Sequence, residues 1–192
     1  MIFRRKNKEY SDNELMQQIV SGDQAAFSEL YIRYKSRMYY YFYRMLGNST
    51  EHANDFLQEL FMKLIEKPES YNPTYQFSTW LYSVANNMCK NEYRRRDVRQ
   101  EFHAVEALEP QLDFLNESTI EPEQVIEKIF QTLELLGEEH RSAFLLRYRE
   151  GFSIKEVAKI LELPEGTVKS RLFYAKKILA VKLEYLKDQI EF

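Results

Sequence analysis

Between Tyr71 and Arg96 the chain mixes flat aromatic side chains with cations. Tyr71, Tyr75, Phe77 and Trp80 come first, then Lys90, Arg94, Arg95 and Arg96, with Asn86, Asn87 and Asn91 among them. Single-stranded DNA requires this mixture: each stacked base contributes about 1–3 kcal/mol, while cations meet the phosphates. Extruding a base costs on the order of a few kcal/mol, which a preformed aromatic loop pocket can offset. Trp80 shares a helical stripe with Val84 and Met88 and is assigned to the core, with Phe77 open to the same role. Tyr71, Tyr75 and the asparagines, read as one helix face, are assigned to contact.

A second cationic group lies in "PEGTVKSRLFYAKK", starting at Pro164. Here Glu165, Thr167, Lys169, Ser170, Arg171, Tyr174, Lys176 and Lys177 point outward from a helix whose apolar face is Val168, Leu172 and Ala175. Its N-terminal half carries donors and acceptors that match base edges in a major groove. The planar fork of Arg171 suits guanine edges and phosphates alike. Lys176 and Lys177 are placed for phosphates, or simply complement the helix dipole. A third group, Asp55, Gln58, Glu59 and Lys63, lies opposite the stripe Ala53, Phe56, Leu57, Leu60, Phe61, Leu64 and Ile65. An acidic polar face beside an exposed Phe61 suits a protein partner; the alternative is a plain solvated face.

Catalytic chemistry finds no foothold. His52, His103 and His140 are scattered, no pair has metal-ligand spacing, and there is no G-x-x-x-x-G-K-[ST] loop. The single Cys89 excludes an internal disulfide and fits a reducing compartment. No cofactor and no metal are expected. An enzyme such as a helical nuclease or hydrolase and a stand-alone DNA-binding regulator are the rival readings. The latter leaves the Asp55 face and the aromatic loop without a role.

The elements that must position these groups are helices. With 5 Gly and 5 Pro in 192 residues, and no sustained alternation, the chain reads as all-α. Ser11/Asp12 cap a helix running to about Ser21, and Gly22-Asp23 breaks and recaps the chain. The next helix carries Phe27, Leu30, Tyr31, Tyr34, Met38, Tyr41, Phe42 and Met45 on one stripe and ends at Gly47-Asn48. Ser78 is expected to cap a fourth helix from Thr79. Ser153 and Glu156 form a capping-box pattern, and two short helices flanking Glu162-Leu163-Pro164 resemble a helix-turn-helix.

Two helical domains, 1–96 and 124–192, are expected, joined by a flexible acidic linker over 97–123 that holds Pro110 and Pro122. A short docked helix over Phe102–Leu108 is the alternative within it. The 27 linker residues span about 30 Å as a relaxed coil and about 90 Å drawn out. The net charge of −3 is unevenly spread: residues 1–96 carry +3, residues 97–124 carry −7, and residues 125–192 carry +1. Local charge, not the total, decides where a polyanion binds. The start "MIFRRKNKEY" precedes no apolar run, and no stretch approaches membrane-span length, so a cytoplasmic protein without membrane insertion is expected.

Taken together, "SDNELMQQIVSGDQAAFSELYIRY", "ANDFLQELFMKL", "FSTWLYSVANNMCKNEYRRR", "EGFSIKEVAKIL" and "PEGTVKSRLFYAKK" resemble the extracytoplasmic-function sigma factors. These are the two-domain promoter-recognition subunits of bacterial RNA polymerase. The resemblance runs from about Ser11 to Leu179 and spares the linker. It implies that Asp55, Gln58, Glu59 and Phe61 dock on the beta-prime clamp helices of the core polymerase. It makes Tyr71 to Arg96 the minus-ten reader, and Thr167, Lys169, Ser170 and Arg171 the minus-thirty-five contact set. The beta flap, promoter DNA and an anti-sigma factor are the other implied partners, and the linker is expected to thread into the polymerase along the RNA path. Three positions depart from the family pattern: Glu162 stands where Gly is usual, Gly137 where Pro is common, and Asn91 where Asp is common.

Overall fold

A computed structural model describes residues 10–101 and 128–184, with side chains as far as Arg96 in the first stretch. Short-range sequence signals set most helix ends. Ser11 caps α1 (Asp12–Val20) in a full capping box: its hydroxyl accepts from Glu14 N–H, and the Glu14 carboxylate accepts from Ser11 N–H at 2.8 Å. Gly22, at φ +87°, turns the chain into Asp23, whose carboxylate accepts from Ala25 and Ala26 and caps α2 (Gln24–Met45). Ser49 caps α3 (Thr50–Glu66). The fourth helix, α4 (Phe77–Glu101), begins two residues before the expected start: Trp80 N–H already donates to Gln76 O at 3.2 Å. It also runs five residues past Arg96, into the segment read as linker, because nothing between Asp97 and Glu101 breaks a helix. The rest of that linker, Phe102–Leu108 included, lies outside the described residues.

Residues 128–132 are helical and lead through a 3-10 turn, Leu133–Leu135, to α5 (Glu138–Phe144). Gly137, the N-cap of α5, has φ −54°. Proline adopts the same value, so this departure from the family pattern leaves the backbone unchanged. Helix α5 passes into one π-helical turn, Leu145–Arg149, closed by Glu150 N–H to Leu145 O at 3.0 Å. Gly151, at φ +81°, then redirects the chain. Ser153 and Glu156 close a second capping box at α6 (Ile154–Leu161), and α7 (Glu165–Lys182) follows. Among the described residues there is no strand.

The hairpin turn holds Glu162 in the left-handed region that glycine favours. Glu162 sits left-handed at φ 58°, ψ 47°, and Leu163 N–H reaches back to Ala158 O at 2.9 Å. The conformation costs a non-glycine residue about 1–2 kcal/mol. The helix-terminal hydrogen bond and the packing of Leu163 against the core offset it.

Helices α1–α4 bury Leu30, Met38, Phe42, Leu60, Leu64 and Leu81; the π-helical turn buries Leu145 and Leu146, and α6 and α7 bury Val157, Ile160, Val168 and Ala175. The two units do not stand apart. Helix α4 packs along α6, and Tyr82 meets Phe152 edge-to-face at 5.0 Å, so the buried side chains form one continuous cluster.

Candidate nucleic-acid interface

The chain between α3 and α4 forms a shaped loop rather than a loose connection. Asn72 accepts from Thr74 N–H at 3.0 Å and from its hydroxyl at 2.8 Å, a local Asx-type turn. Tyr71 is buried, its ring edge-to-face with Phe77 at 5.6 Å and Trp80 at 5.4 Å. Its hydroxyl donates to Tyr75 O at 2.7 Å and meets the Asn13 side chain. Tyr71 is therefore the pillar of the loop and not a contact surface, which corrects the sequence reading. Its aromatic neighbours claim the ring. Tyr75 is the exposed aromatic, 48% accessible. A cavity of about 370 Å³ beside it is lined by the loop from Pro73 to Ser78 and by Ser11, Asp12 and Asn13 of the α1 start. The α1 contribution was missed; only the "NPT" turn at Asn72 hinted at an ordered pocket.

The asparagines do not share a face. Neighbouring helical residues are about 100° apart, so Asn86 turns inward where Asn87 and Asn91 turn out. Asn86 is 1% exposed, accepts from Tyr41 hydroxyl at 3.2 Å, and leaves its Nδ2 without a partner. The contact role expected of it is withdrawn for this arrangement. Asn87 is half-buried; Asn91, Arg94 and Arg95 are exposed and follow it at helical spacing on the outer face of α4. Glu92, itself buried, holds Arg95 at 2.6 Å and Arg96 at 2.9 Å. Lys90 is turned to the second unit and donates to Leu161 O at 3.4 Å. Trp80 is half-buried against the core, and Phe77 is fully inside.

On α7 the buried stripe Val168, Leu172, Ala175 and Leu179 fixes the opposite face. Glu165, Lys169, Ser170, Tyr174, Lys176 and Lys177 are exposed and Thr167 is half-buried. Phe173, exposed on the same face, was not singled out by the sequence. Arg171 lies at the flank: its side chain is 16% exposed and donates to Glu139 at 2.7 Å.

On α3, Asp55, Gln58 and Glu59 are exposed, with Glu59 paired to Lys63 at 2.9 Å. Phe61 is buried, edge-to-face with Tyr31 at 4.8 Å, so it is no exposed aromatic. It lies one position from the outward face, and Tyr31 and Phe27 of α2 close over it. The apolar residues that do reach solvent there are Met62 and Ile65, on the rim of a groove of about 460 Å³ between α2 and α3.

Comparison with known proteins matches two segments of the chain. The sigma-70 region 2 profile covers residues 30–99, and the sigma-70 region 4 profile covers residues 126–179. The ECF RNA polymerase sigma factor SigW of Bacillus subtilis (strain 168) is 30% identical over 180 residues, which is 89% of this chain and 96% of that protein. The ECF RNA polymerase sigma-E factor of Escherichia coli (strain K12) is 30% identical over 189 residues, 94% of this chain and 98% of that one. Among solved structures, CnrH in complex with the cytosolic domain of CnrY aligns with a TM-score of 0.67 at 24% identity, covering 91% of this chain and 97% of that one. The sigma factor RpoE of Bartonella quintana, solved with the anti-sigma factor NepR, aligns at 0.67 and 20% identity, covering 82% and 96%. Both likenesses are of fold.

Proposed function

The chain belongs to the ECF RNA polymerase sigma factors, and from that footing we propose how its surfaces divide the work. The protein directs RNA polymerase to promoters and starts transcription there; it is an initiation factor, not an enzyme. In our reading residues 1–96 act as region 2, 97–123 as the linker and 124–192 as region 4.

The outer face of α3, Asp55, Gln58 and Glu59, docks on the beta-prime clamp helices, with Met62 supplying the apolar contact first assigned to Phe61. Tyr75 and the cavity beside it take an extruded minus-ten base. Asn87, Asn91, Arg94 and Arg95, with Lys90 once it is released from Leu161, follow the strand. The α7 face of Lys169, Ser170, Tyr174 and Lys177 enters the minus-thirty-five major groove, flanked by Glu165, Thr167, Arg171 and Lys176. Region 4 also meets the beta flap. Two similar folds were solved with CnrY and with the anti-sigma factor NepR, and an anti-sigma factor is proposed as a partner here. The protein works in the cytoplasm, where polymerase and DNA are; no described helix is long and apolar enough to cross a membrane.

The observation that carries this reading is α7: a short capped hairpin buries one stripe and leaves a cationic, hydrogen-bonding face to solvent. The test is co-elution of the purified protein with bacterial core RNA polymerase, with and without Asp55→Lys/Glu59→Lys. A wild-type complex lost on charge reversal is expected. Co-elution untouched by the reversal places the docking face elsewhere.

A further inference from the structure

Where α4 meets the C-terminal unit lies a cavity of about 220 Å³ whose polar lining has no role as a set in the functions proposed above. Asn86, Lys90 and Arg94 line it from α4 at i, i+4 spacing, which stacks them on one face of the helix. Arg171 of α7 faces them, and these three cations outnumber the two acids of the lining, Glu138 and Glu139.

The hydrogen bonds around the cavity leave donors over. Asn86 is 1% exposed; its Oδ1 accepts from the Tyr41 hydroxyl at 3.2 Å, and its Nδ2 is buried with no acceptor. A buried donor carries its full desolvation cost until an acceptor reaches it. The bond from Lys90 to Leu161 O is long, at 3.4 Å. Glu92 pairs with Arg95 and Arg96, and Arg94 has no ion pair among the described residues. Arg171 donates to Glu139 at 2.7 Å, which leaves most of the five N–H groups of a guanidinium.

We propose that this cavity binds a phosphate group that still carries a proton, as inorganic phosphate or on a small phosphate ester. The site goes beyond the polymerase and promoter roles and does not depend on them. Phosphate offers charge-assisted acceptors to Lys90, Arg94, Arg171 and Asn86 Nδ2 together, and a guanidinium fork matches two of its oxygens at once. The acids select the protonation state. A carboxylate has about four acceptor positions, so Glu139 holds Arg171 and still accepts from a P–OH. Sulfate, fully deprotonated, offers no such proton and meets like charge there. At ~30 Å³ for each water, the cavity has space for about seven, enough for the group with part of its hydration.

The experiment titrates inorganic phosphate into the full chain, followed by phosphorus NMR line broadening and by Tm, with sulfate and chloride at matched ionic strength. Phosphate should saturate both readouts. Equimolar sulfate should not displace it, and should raise Tm only in the unsaturating manner of an excluded salt. Asn86→Leu keeps the branched shape and removes the donor; Arg94→Gln, at an exposed position, is the milder variant should the first unfold the protein. Each should weaken the apparent Kd for phosphate about tenfold or more, the loss of a hydrogen bond to a charged group. Glycerol phosphate separates the two sources at about pH 6, near its second pKa, where much of it carries the proton. Tighter binding than inorganic phosphate there assigns the site to an ester, and weaker binding assigns it to free phosphate. Displacement by equimolar sulfate, or a phosphate response that neither variant changes, overturns the site.

Discussion

Phe61 and Tyr71 show where residue type stops being informative. Both are aromatics in motifs assigned contact roles from the sequence, and both are buried. An aromatic ring serves a core and a binding face equally well; what decides is whether neighbours such as Tyr31 or Phe77 close over it, and those neighbours lie far away in sequence. Substitution should separate the two roles on α3. Phe61→Ala should cost about 3–5 kcal/mol of folding stability, read as a fall in the urea midpoint. Met62→Ala, at an exposed position, should leave that midpoint nearly unchanged while weakening co-elution with core polymerase. Burial also removes Cys89 from chemistry: desolvation holds its thiol well above the ordinary value, so it stays protonated and inert.

Helices were the legible level. Caps and stripes act over three or four residues, so the cap at Ser11/Asp12, the Ser153 capping box, the Gly22-Asp23 break and the apolar faces could all be placed from the sequence. The start of α4 was misplaced by two residues because Ser78 resembles a cap but sits inside the first turn. Ser153→Ala should destabilise the C-terminal unit by about 1 kcal/mol at neutral pH. The effect should depend on pH. The Ser153 hydroxyl, then its N–H, hold the Glu156 carboxyl below its ordinary value of 4.5. A group with a depressed native pKa stabilises above its unfolded pKa and loses that contribution as pH falls through the native one. The gap between wild type and Ser153→Ala in urea melts should therefore narrow as pH falls from neutral through the carboxylate range.

Two domains were readable from the charge break and the prolines around residues 97–123, but their closure on one another was not. The contact between Arg37 and Glu150 joins residues 113 positions apart, and no local pattern pairs one arginine with one glutamate at that range. Placement of Glu150 depends less on its being an acid than on where it falls around the helix axis. The π-helical turn Leu145–Arg149 holds one residue more than an α-helical turn would at that place, and each residue advances the helix by about 100°. The π turn thus works as a take-up loop, absorbing the extra residue so that Glu150 still lies over Leu145 and faces Arg37. Deleting one residue there, such as Tyr148, would turn the same bond from Glu150 to Leu145 into an ordinary α-helical one and leave Glu150 in place. Inserting one more would exceed what a single π turn absorbs and swing Glu150 about 100° away from Arg37. The deletion should keep the wild-type radius of gyration by small-angle scattering and the insertion should raise it, though neither removes a charged group.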